Sequence, residues 1–185
     1  RQKVSISAHL DAWDVRSAAA ELAPLATAHP DDPDVTYLKA RLAFLQYKYS
    51  DAVTHMESLA EGSSDQRLHG ALTLYRQTRD VSAQYKTHQT SGGHFIIAYP
   101  ANADEVLIPY ADAALEHAYE RLGEIFRYRP QDPIRVEIYP EVKTLADVSP
   151  LKASEIRASG TIALCKYNRL MIVSPRALVY GYEWL

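Results

Sequence analysis

Apolar residues in the first half of the chain recur at the spacing of amphipathic helices. Over residues 34–47 they cover a broad face, wide enough to contact helices on two sides. Pro30 and Pro33 stand just before this segment, where one helix must end and the next can begin. Ser50 or Asp51 can cap the helix that follows. The pattern therefore predicts a series of short helices joined by tight turns.

The same helical pattern occurs twice, at an offset of 34 residues. Residues 17–26 and 51–60 share their apolar positions, and the first matched position holds alanine in both segments. A small residue there lets two helices cross closely. The matched pairs are Ala18 with Ala52, Leu22 with Met56, Leu25 with Leu59, and Ala26 with Ala60. This period predicts a helical repeat.

A further apolar pattern follows the repeat between residues 64 and 90. Its members recur near helical spacing and include Leu68, Ala71, Leu72, Tyr75, Val81 and Tyr85. We therefore predict a long linking helix that runs towards Gly92 and Gly93. The two glycines indicate a boundary between a helical domain over residues 1–90 and a second domain over residues 91–185.

The periodicity changes after these glycines. Residues 94–99 and 134–139 predict two strands, the second by strict alternation of apolar and polar positions. Residues 141–149 predict a short helix or loop, and residues 161–165 and 170–173 predict a β-hairpin. Residues 104–128 predict one long helix, with an apolar face made of Leu107, Ala111, Ala114, Ala118, Leu122 and Ile125.

These elements predict an α+β protein, in which N-terminal helical hairpins precede a small mixed α/β lobe with a β-hairpin. One long helix covers only one face of such a sheet, so the lobe looks incomplete. The apolar and aromatic residues 177–185 look like the lead-in to a further helix. An unprotected hairpin edge also predicts self-association.

Composition excludes several classes of protein. The chain has 185 residues, of which 47% are apolar, and mixed charges that sum to −3. These values favour a folded protein and give no basic footprint for nucleic acid. No stretch approaches the 18 consecutive apolar residues of a membrane span. The single Cys165 leaves the compartment undecided, although a start at Arg1 that looks trimmed would fit an exported protein.

The 34-residue period with small residues at Ala18 and Ala52 resembles a tetratricopeptide array over residues 11–62. The match predicts one complete helix pair, half of another before it, and a following helix. It departs from the family pattern at residues 45–49, where the usual glycine is missing. The resemblance implies that the repeats bind a protein partner or position a substrate. For that role we single out Tyr37, Tyr47, Tyr49 and Tyr75.

Residues 92–185 are similar to the bacterial peptidase MA-like proteins, which are minimal zinc peptidases of the gluzincin type. The similarity is carried by Gly-Gly-His-Phe-Ile-Ile at 92–97, by Arg-Val-Glu-Ile-Tyr-Pro at 135–140, and by the hairpin between Gly160 and Arg176. In that family a His-Glu-x-x-His helix follows, in which two histidines hold zinc beside the glutamate that activates water.

This chain contains no His-Glu-x-x-His sequence, so no catalytic or metal-binding residue can be assigned in it. We expect zinc only in a longer parent protein, and the chain itself to cleave nothing. What the resemblance does imply is a peptide-binding edge strand ahead of the zinc helix. Its residues would be Thr161, Ile162, Ala163 and Leu164.

Other reactive side chains have simpler explanations. His117 and Glu120 are three apart on the long helix and could form half of a metal site, but two-ligand spacing is common and a solvated helix flank is the better explanation. The other histidines follow no ligand spacing. Cys165 lies in a predicted strand, where a free cysteine usually packs as a small apolar residue. A cysteine hydrolase would also need a base, and no histidine can be assigned to that role.

Two hypotheses from different classes therefore stand. In the first, the chain is the non-catalytic front part of a repeat-containing zinc peptidase. In the second, it is an interaction or scaffold protein whose α+β domain is inert. A His-Glu-x-x-His motif encoded within about a dozen residues after Leu185 would favour the first, and a stop codon there would favour the second.

Overall fold

The computed structural model describes residues 1–101 and 104–177, and the chain divides into two compact units between Asp80 and Val81. The α+β class is confirmed, with helices grouped in the first unit and a five-stranded sheet in the second. The helices are α1 (Gln2–Asp11), α2 (Val15–Ala28), α3 (Pro33–Leu45), α4 (Tyr49–Ala60), α5 (Gln66–Ser82), α6 (Ile108–Phe126), α7 (Val142–Asp147) and α8 (Ala153–Ser159). The strands are β1 (Tyr85–Gln89), β2 (Phe95–Pro100), β3 (Ile134–Tyr139), β4 (Ala163–Lys166) and β5 (Arg169–Val173).

The first unit repeats its backbone geometry at the predicted offset of 34 residues. Trp13 and Tyr47 both adopt left-handed backbone angles, with φ of 58° and 64°. In each turn the next residue donates from its backbone N–H to a carbonyl five residues earlier: Asp14 to the oxygen of His9 at 2.8 Å, and Lys48 to that of Ala43 at 2.9 Å. The α1–α2 and α3–α4 pairs are therefore two copies of one helix-turn-helix unit.

The prediction of half a helix pair before the complete one is wrong, because α1 completes the first pair. Helices α1 to α4 each pack on their neighbours in the chain, and α1 also packs on α3. The aromatic ring of Tyr75 on α5 stacks on Phe44 of α3, with centroids 4.1 Å apart. Through this stack, α5 covers the side of the second repeat that would otherwise face solvent.

The first two matched positions of the repeats are buried alike. Ala18 and Ala52 are both completely buried, and Leu22 and Met56 are 2% and 0% exposed. With no side chain beyond Cβ, the alanines let the two helices of each pair approach closely. The 34-residue period in the sequence therefore reflects equivalent packing within the two helix pairs.

The predicted linking helix that runs to Thr90 is wrong over its last part. Helix α5 ends at Ser82, and Tyr85–Gln89 form strand β1, which pairs antiparallel with β2. The turn between these strands includes Gly93, whose φ is 77°. Pairing with β2 decides the structure of this segment, because its side-chain pattern suits a helix and a strand about equally.

The sheet has the strand order β1-β2-β3-β5-β4. Its three central strands are parallel, and each edge strand is antiparallel to its neighbour. The predicted hairpin is confirmed, since β4 and β5 are joined by two residues, Tyr167 and Asn168, with φ of 55° and 60°. A two-residue hairpin turn of type I′ requires left-handed backbone angles at both of its residues.

Both faces of the sheet are covered, contrary to the expectation of a single covering helix. Helix α6 packs on one face with the apolar side chains of β2, β3 and β5. On the other face α7 and α8 close a second core around Tyr139, Leu145 and Met171. The sequence did not predict α8, because a helix of only seven residues carries too few apolar positions to show a period. The apolar residues 178–185 lie outside the described ranges.

The apolar face predicted for α6 is partly wrong. Its buried residues are Ile108, Ala111, Leu115, Tyr119 and Gly123. Leu122 and Ile125, which were expected in the core, are 50% and 63% exposed. Together with Phe126 and Tyr128 they form an exposed apolar surface at the end of the helix. The buried stripe keeps a spacing of three or four residues, but it starts one position later than the sequence suggested.

The close helix crossing gives a direct test of the repeat. We expect Ala18→Leu to lower the free energy of unfolding by about 1–3 kcal/mol, because the added side chain has no space between α1 and α2. Ala23→Leu on the exposed side of the same helix is the control and should change it by less than about 0.5 kcal/mol. Urea unfolding measures both variants, and equal effects would contradict the close crossing.

Candidate functional site

An open groove of about 350 Å³ lies in the first unit, where α3 begins, α4 ends and α5 begins. Caps fix its walls: the Asp32 carboxylate accepts from the backbone N–H of Asp34 at 2.9 Å, and Asp65 accepts from that of Arg67 at 2.9 Å. We call this feature the repeat groove. It is lined by Pro33, Asp34, Tyr37, Leu59, Asp65, Arg67 and Leu68.

The rim of the repeat groove carries a surplus of negative charge. The Lys3 ammonium lies 2.6 Å from Asp32 and 2.8 Å from Asp34, so one cation faces two carboxylates. The hydrogen bond from Lys3 holds the pKa of Asp32 below its usual value. The pKa of Asp65 is lowered in the same way by Arg67, whose guanidinium lies 2.9 Å away. One uncompensated negative charge remains among these groups at neutral pH.

The four tyrosines predicted to bind a partner have different surroundings. Tyr37 lines the repeat groove and is 37% exposed. Tyr47 occupies the left-handed position of the second repeat turn and is half-buried. The prediction is wrong for Tyr49 and Tyr75, which are 6% and 7% exposed and belong to the core. Their ring area stabilises the helix stack instead.

The predicted edge strand is only partly a strand. Ala163 and Leu164 belong to β4 at the end of the sheet, while Thr161 and Ile162 precede it. The Ile162 carbonyl nevertheless accepts a hydrogen bond from the Val173 backbone N–H at 2.8 Å, which extends the pairing by one step. Within the described residues, β4 pairs only with β5, so its outer backbone edge is open to an extended peptide.

Cys165 lies on this edge strand and is exposed. Neighbouring protein atoms partly desolvate its thiol and raise its pKa, which keeps the thiol protonated at neutral pH. This environment does not support the cysteine hydrolase hypothesis, since a nucleophile needs a lowered pKa or an adjacent base.

The turn between β1 and β2 is tied to α6 by two carboxylates. The Asp112 carboxylate lies 2.8 Å from His88 Nε2 and accepts from Ser91 Oγ at 2.7 Å. The Glu116 carboxylate lies 2.6 Å from His94 Nδ1 and also accepts from the Thr90 hydroxyl. We call these six residues the turn cluster. Each acid on the helix thus holds one histidine and one hydroxyl of β1 or the turn that follows it.

Packing around the turn cluster is equally specific. The His94 ring stacks on Tyr119 with centroids 3.7 Å apart. A Cβ atom at Gly92 would collide with the Glu116 carboxylate, so the glycine permits the close approach of turn and helix. Sequence reasoning missed this site because the paired residues are 21 to 26 positions apart and meet only after β1 and the turn pack beside α6.

The hydrogen bonds of the turn cluster set the protonation state of its acids. The His88 hydrogen bond lowers the pKa of Asp112, and Ser91 contributes further. Burial alone would raise the pKa of Glu116, but hydrogen bonds from His94 and Thr90 outweigh it and leave this pKa below its usual value. Both acids are therefore anionic near neutral pH.

Neither the turn cluster nor the neighbouring part of α6 fits a zinc site. His117 is exposed, and its predicted companion Glu120 instead pairs with the Arg129 guanidinium at 2.8 Å. Within residues 1–101 and 104–177, no three His, Cys, Asp or Glu side chains converge as metal ligands. The chain also contains no His-Glu-x-x-His sequence, so its described residues offer no ligand set for a catalytic zinc.

A second charged cluster is buried in the sheet itself. The Glu137 carboxylate, which is completely buried, lies 3.2 Å from Arg135 Nε and 3.2 Å from Arg169 Nε. The Tyr139 hydroxyl donates to the same carboxylate at 2.6 Å. The alternation in β3 does place Arg135, Glu137 and Tyr139 on one face. The sequence predicted no covering helix for that face, whereas α7 and α8 pack on it.

Comparison of the chain with protein-family models, with curated proteins and with solved structures finds no match. Functional inference therefore depends on the geometry of this chain. None of the helices in the described ranges is both long and apolar enough to cross a membrane.

The turn cluster predicts how stability depends on pH. Asp112 and Glu116 have lowered pKa values in the folded state, so their contribution is present above the unfolded values and is lost as pH falls through the folded ones. We expect the stability of the wild type to fall below about pH 4.5 more steeply than that of the Asp112→Asn, Glu116→Gln double variant.

Urea unfolding at a series of pH values measures this difference in slope. The matched control is Asp31→Asn with Glu61→Gln, which replaces two exposed acids on the first unit and should retain the slope of the wild type. A turn-cluster variant with an unchanged slope would show that these hydrogen bonds do not form in solution.

Proposed function

We propose that the first unit is a protein-binding repeat module and that the repeat groove is its contact site. The observation that carries this proposal is the 34-residue helix-turn-helix repeat, which ends in an open groove beside an exposed tyrosine. Stacked repeats present extended surfaces for protein partners. This geometry supports the tetratricopeptide-like assignment and the role of Tyr37 in binding.

The chemistry of the repeat groove favours a particular kind of peptide. Pro33, Leu59 and Leu68 offer apolar surface, and Tyr37 adds an aromatic ring with a polar tip. The unbalanced negative charge beside Lys3 attracts a cation rather than an anion. The best-fitting partner is therefore a segment in which an apolar side chain stands next to lysine or arginine.

For the second unit we propose a peptide-binding lobe similar to the non-catalytic part of a gluzincin peptidase. The open, antiparallel edge of β4 supports this hypothesis, since an extended peptide can add to it by backbone hydrogen bonds. The alternative is a scaffold protein in which the α+β unit is inert. The residues encoded after Leu185 distinguish the two, because only the peptidase hypothesis requires a His-Glu-x-x-His motif there.

Peptide selection tests the repeat groove. We expect a displayed random peptide library to yield sequences that pair an apolar residue with a basic one. Tyr37→Ala should weaken binding of the selected peptide by about tenfold, because it removes an aromatic contact from the lining of the groove. Tyr128→Ala is the matched control, since this tyrosine is 69% exposed on the second unit, and it should leave affinity unchanged.

Isothermal titration measures both affinities. Equal weakening by the two substitutions, or selected peptides without basic residues, would contradict the proposed contact site. Raising the salt concentration should also weaken binding, since the attraction of the basic side chain is screened.

Amide hydrogen exchange tests the edge strand separately. We expect an extended apolar peptide to slow exchange in β4, where new backbone hydrogen bonds would form. Strand β1, at the opposite edge of the same sheet, provides the internal control and should exchange at an unchanged rate. Protection at both edges would indicate nonspecific association, and protection at neither would exclude binding of this peptide at the β4 edge.

A further inference from the structure

The carboxyl ends of the parallel strands enclose a set of buried polar groups that the proposed functions do not use. Strands β2, β3 and β5 end side by side, and the antiparallel β1 begins at the same edge because Tyr85 pairs with Pro100. This edge is where open sheets with parallel strands commonly bind ligands. Asp104 and Ser174 lie here, and both are completely buried.

Only one oxygen of the Asp104 carboxylate is satisfied. Its Oδ1 accepts from Ser174 Oγ at 2.9 Å and from Arg176 Nε at 2.7 Å. Its Oδ2 is buried and has no hydrogen-bond partner in the part of the chain that the structure describes. Half of a buried carboxylate without a partner is costly, and an additional group that donates a hydrogen bond would remove that cost.

A second orphaned group lies at the same edge. The Tyr85 hydroxyl is buried and also has no partner among the described residues. The Tyr85 ring lies beside Tyr139, with centroids 6.3 Å apart, and the Tyr139 carbonyl accepts from the Ser174 backbone N–H at 2.7 Å. Because Ser174 also donates to Asp104, contacts through Tyr139 and Ser174 link the Tyr85 ring to the Asp104 carboxylate.

The electrostatic environment of the Tyr85 hydroxyl is consistent with a position close to Asp104. Burial raises the pKa of its hydroxyl, and the negative charges of Glu137 and Asp104 raise it further. The hydroxyl therefore stays protonated and offers one hydrogen atom together with lone pairs. The Asp104 Oδ2 can only accept, so a bridging molecule must donate to Asp104 while it accepts from or donates to Tyr85.

We propose that this edge of the sheet is a binding site for one internal water molecule, held between the Tyr85 hydroxyl and the Asp104 carboxylate. Water supplies two donors and two acceptors in the smallest volume, which suits groups that are closed to solvent. The Ser82 hydroxyl, three residues before Tyr85 in the chain, is also buried and has no partner in the described ranges. The water then connects the start of β1 to the segments that follow β2 and β5.

The change in melting temperature caused by Tyr85→Phe differs according to whether the water is bound. If the hydroxyl is merely orphaned, Tyr85→Phe removes an unsatisfied group and leaves the melting temperature unchanged or higher. If the water is present, the same substitution removes one of its partners, and we expect the melting temperature to fall by about 2–4 °C. Tyr139→Phe, which removes the hydrogen bond to Glu137, should lower it in either case and shows that the assay is sensitive.

A crystal structure at a resolution that shows ordered waters completes the test. A density peak within hydrogen-bonding distance of both Tyr85 Oη and Asp104 Oδ2, together with a lower melting temperature for Tyr85→Phe, supports the site. Either the lack of such a peak or a Tyr85→Phe variant as stable as the wild type overturns it. A direct hydrogen bond between the two groups would overturn it as well.

Discussion

The second unit depends on the pairing of one buried charge. Glu137 lies in the middle of the central strand of a sheet that is covered on both faces, and its side chain is completely inaccessible to water. An ionised carboxylate at such a position is tolerated only with charged partners and further hydrogen bonds. Arg135, Arg169 and Tyr139 provide them. Removal of one partner from a buried pair of this kind typically costs about 3–5 kcal/mol.

The need to pair the Glu137 charge links the register of β5 to the helices that cover this face of the sheet. Arg169 is the first residue of β5, and parallel pairing in the observed register places β5 directly beside β3. Helices α7 and α8 then close the cluster from water, and the Val148 carbonyl that follows α7 accepts from Arg169 at 3.4 Å. A one-residue slip of β5 would turn Arg169 to the opposite face of the sheet, so the ion pair helps to fix the register.

Sequence patterns predicted those elements whose structure is decided locally. The 34-residue period predicted the repeat because Ala18 and Ala52 face equivalent helices, and two short β-prone runs close together in the chain predicted the hairpin of β4 and β5. Strand β1 was missed because its pairing with β2 comes from residues beyond the turn. The turn cluster and the burial of Glu137 were missed for a related reason, since both depend on packing between distant segments.

In both units, a surface that a partner could contact lies where the packing of helices or the pairing of strands ends. In the first, every helix of the repeat packs on a neighbour, and the groove opens where α3 and α5 begin and α4 ends. In the second, helices occupy both faces of the sheet, which leaves its edges as the accessible backbone. The β1 edge is constrained by the turn cluster, while the outer side of β4 carries the exposed Cys165 and Lys166. An extended partner is thus more easily accommodated at β4 than at β1, because fewer existing contacts would have to change.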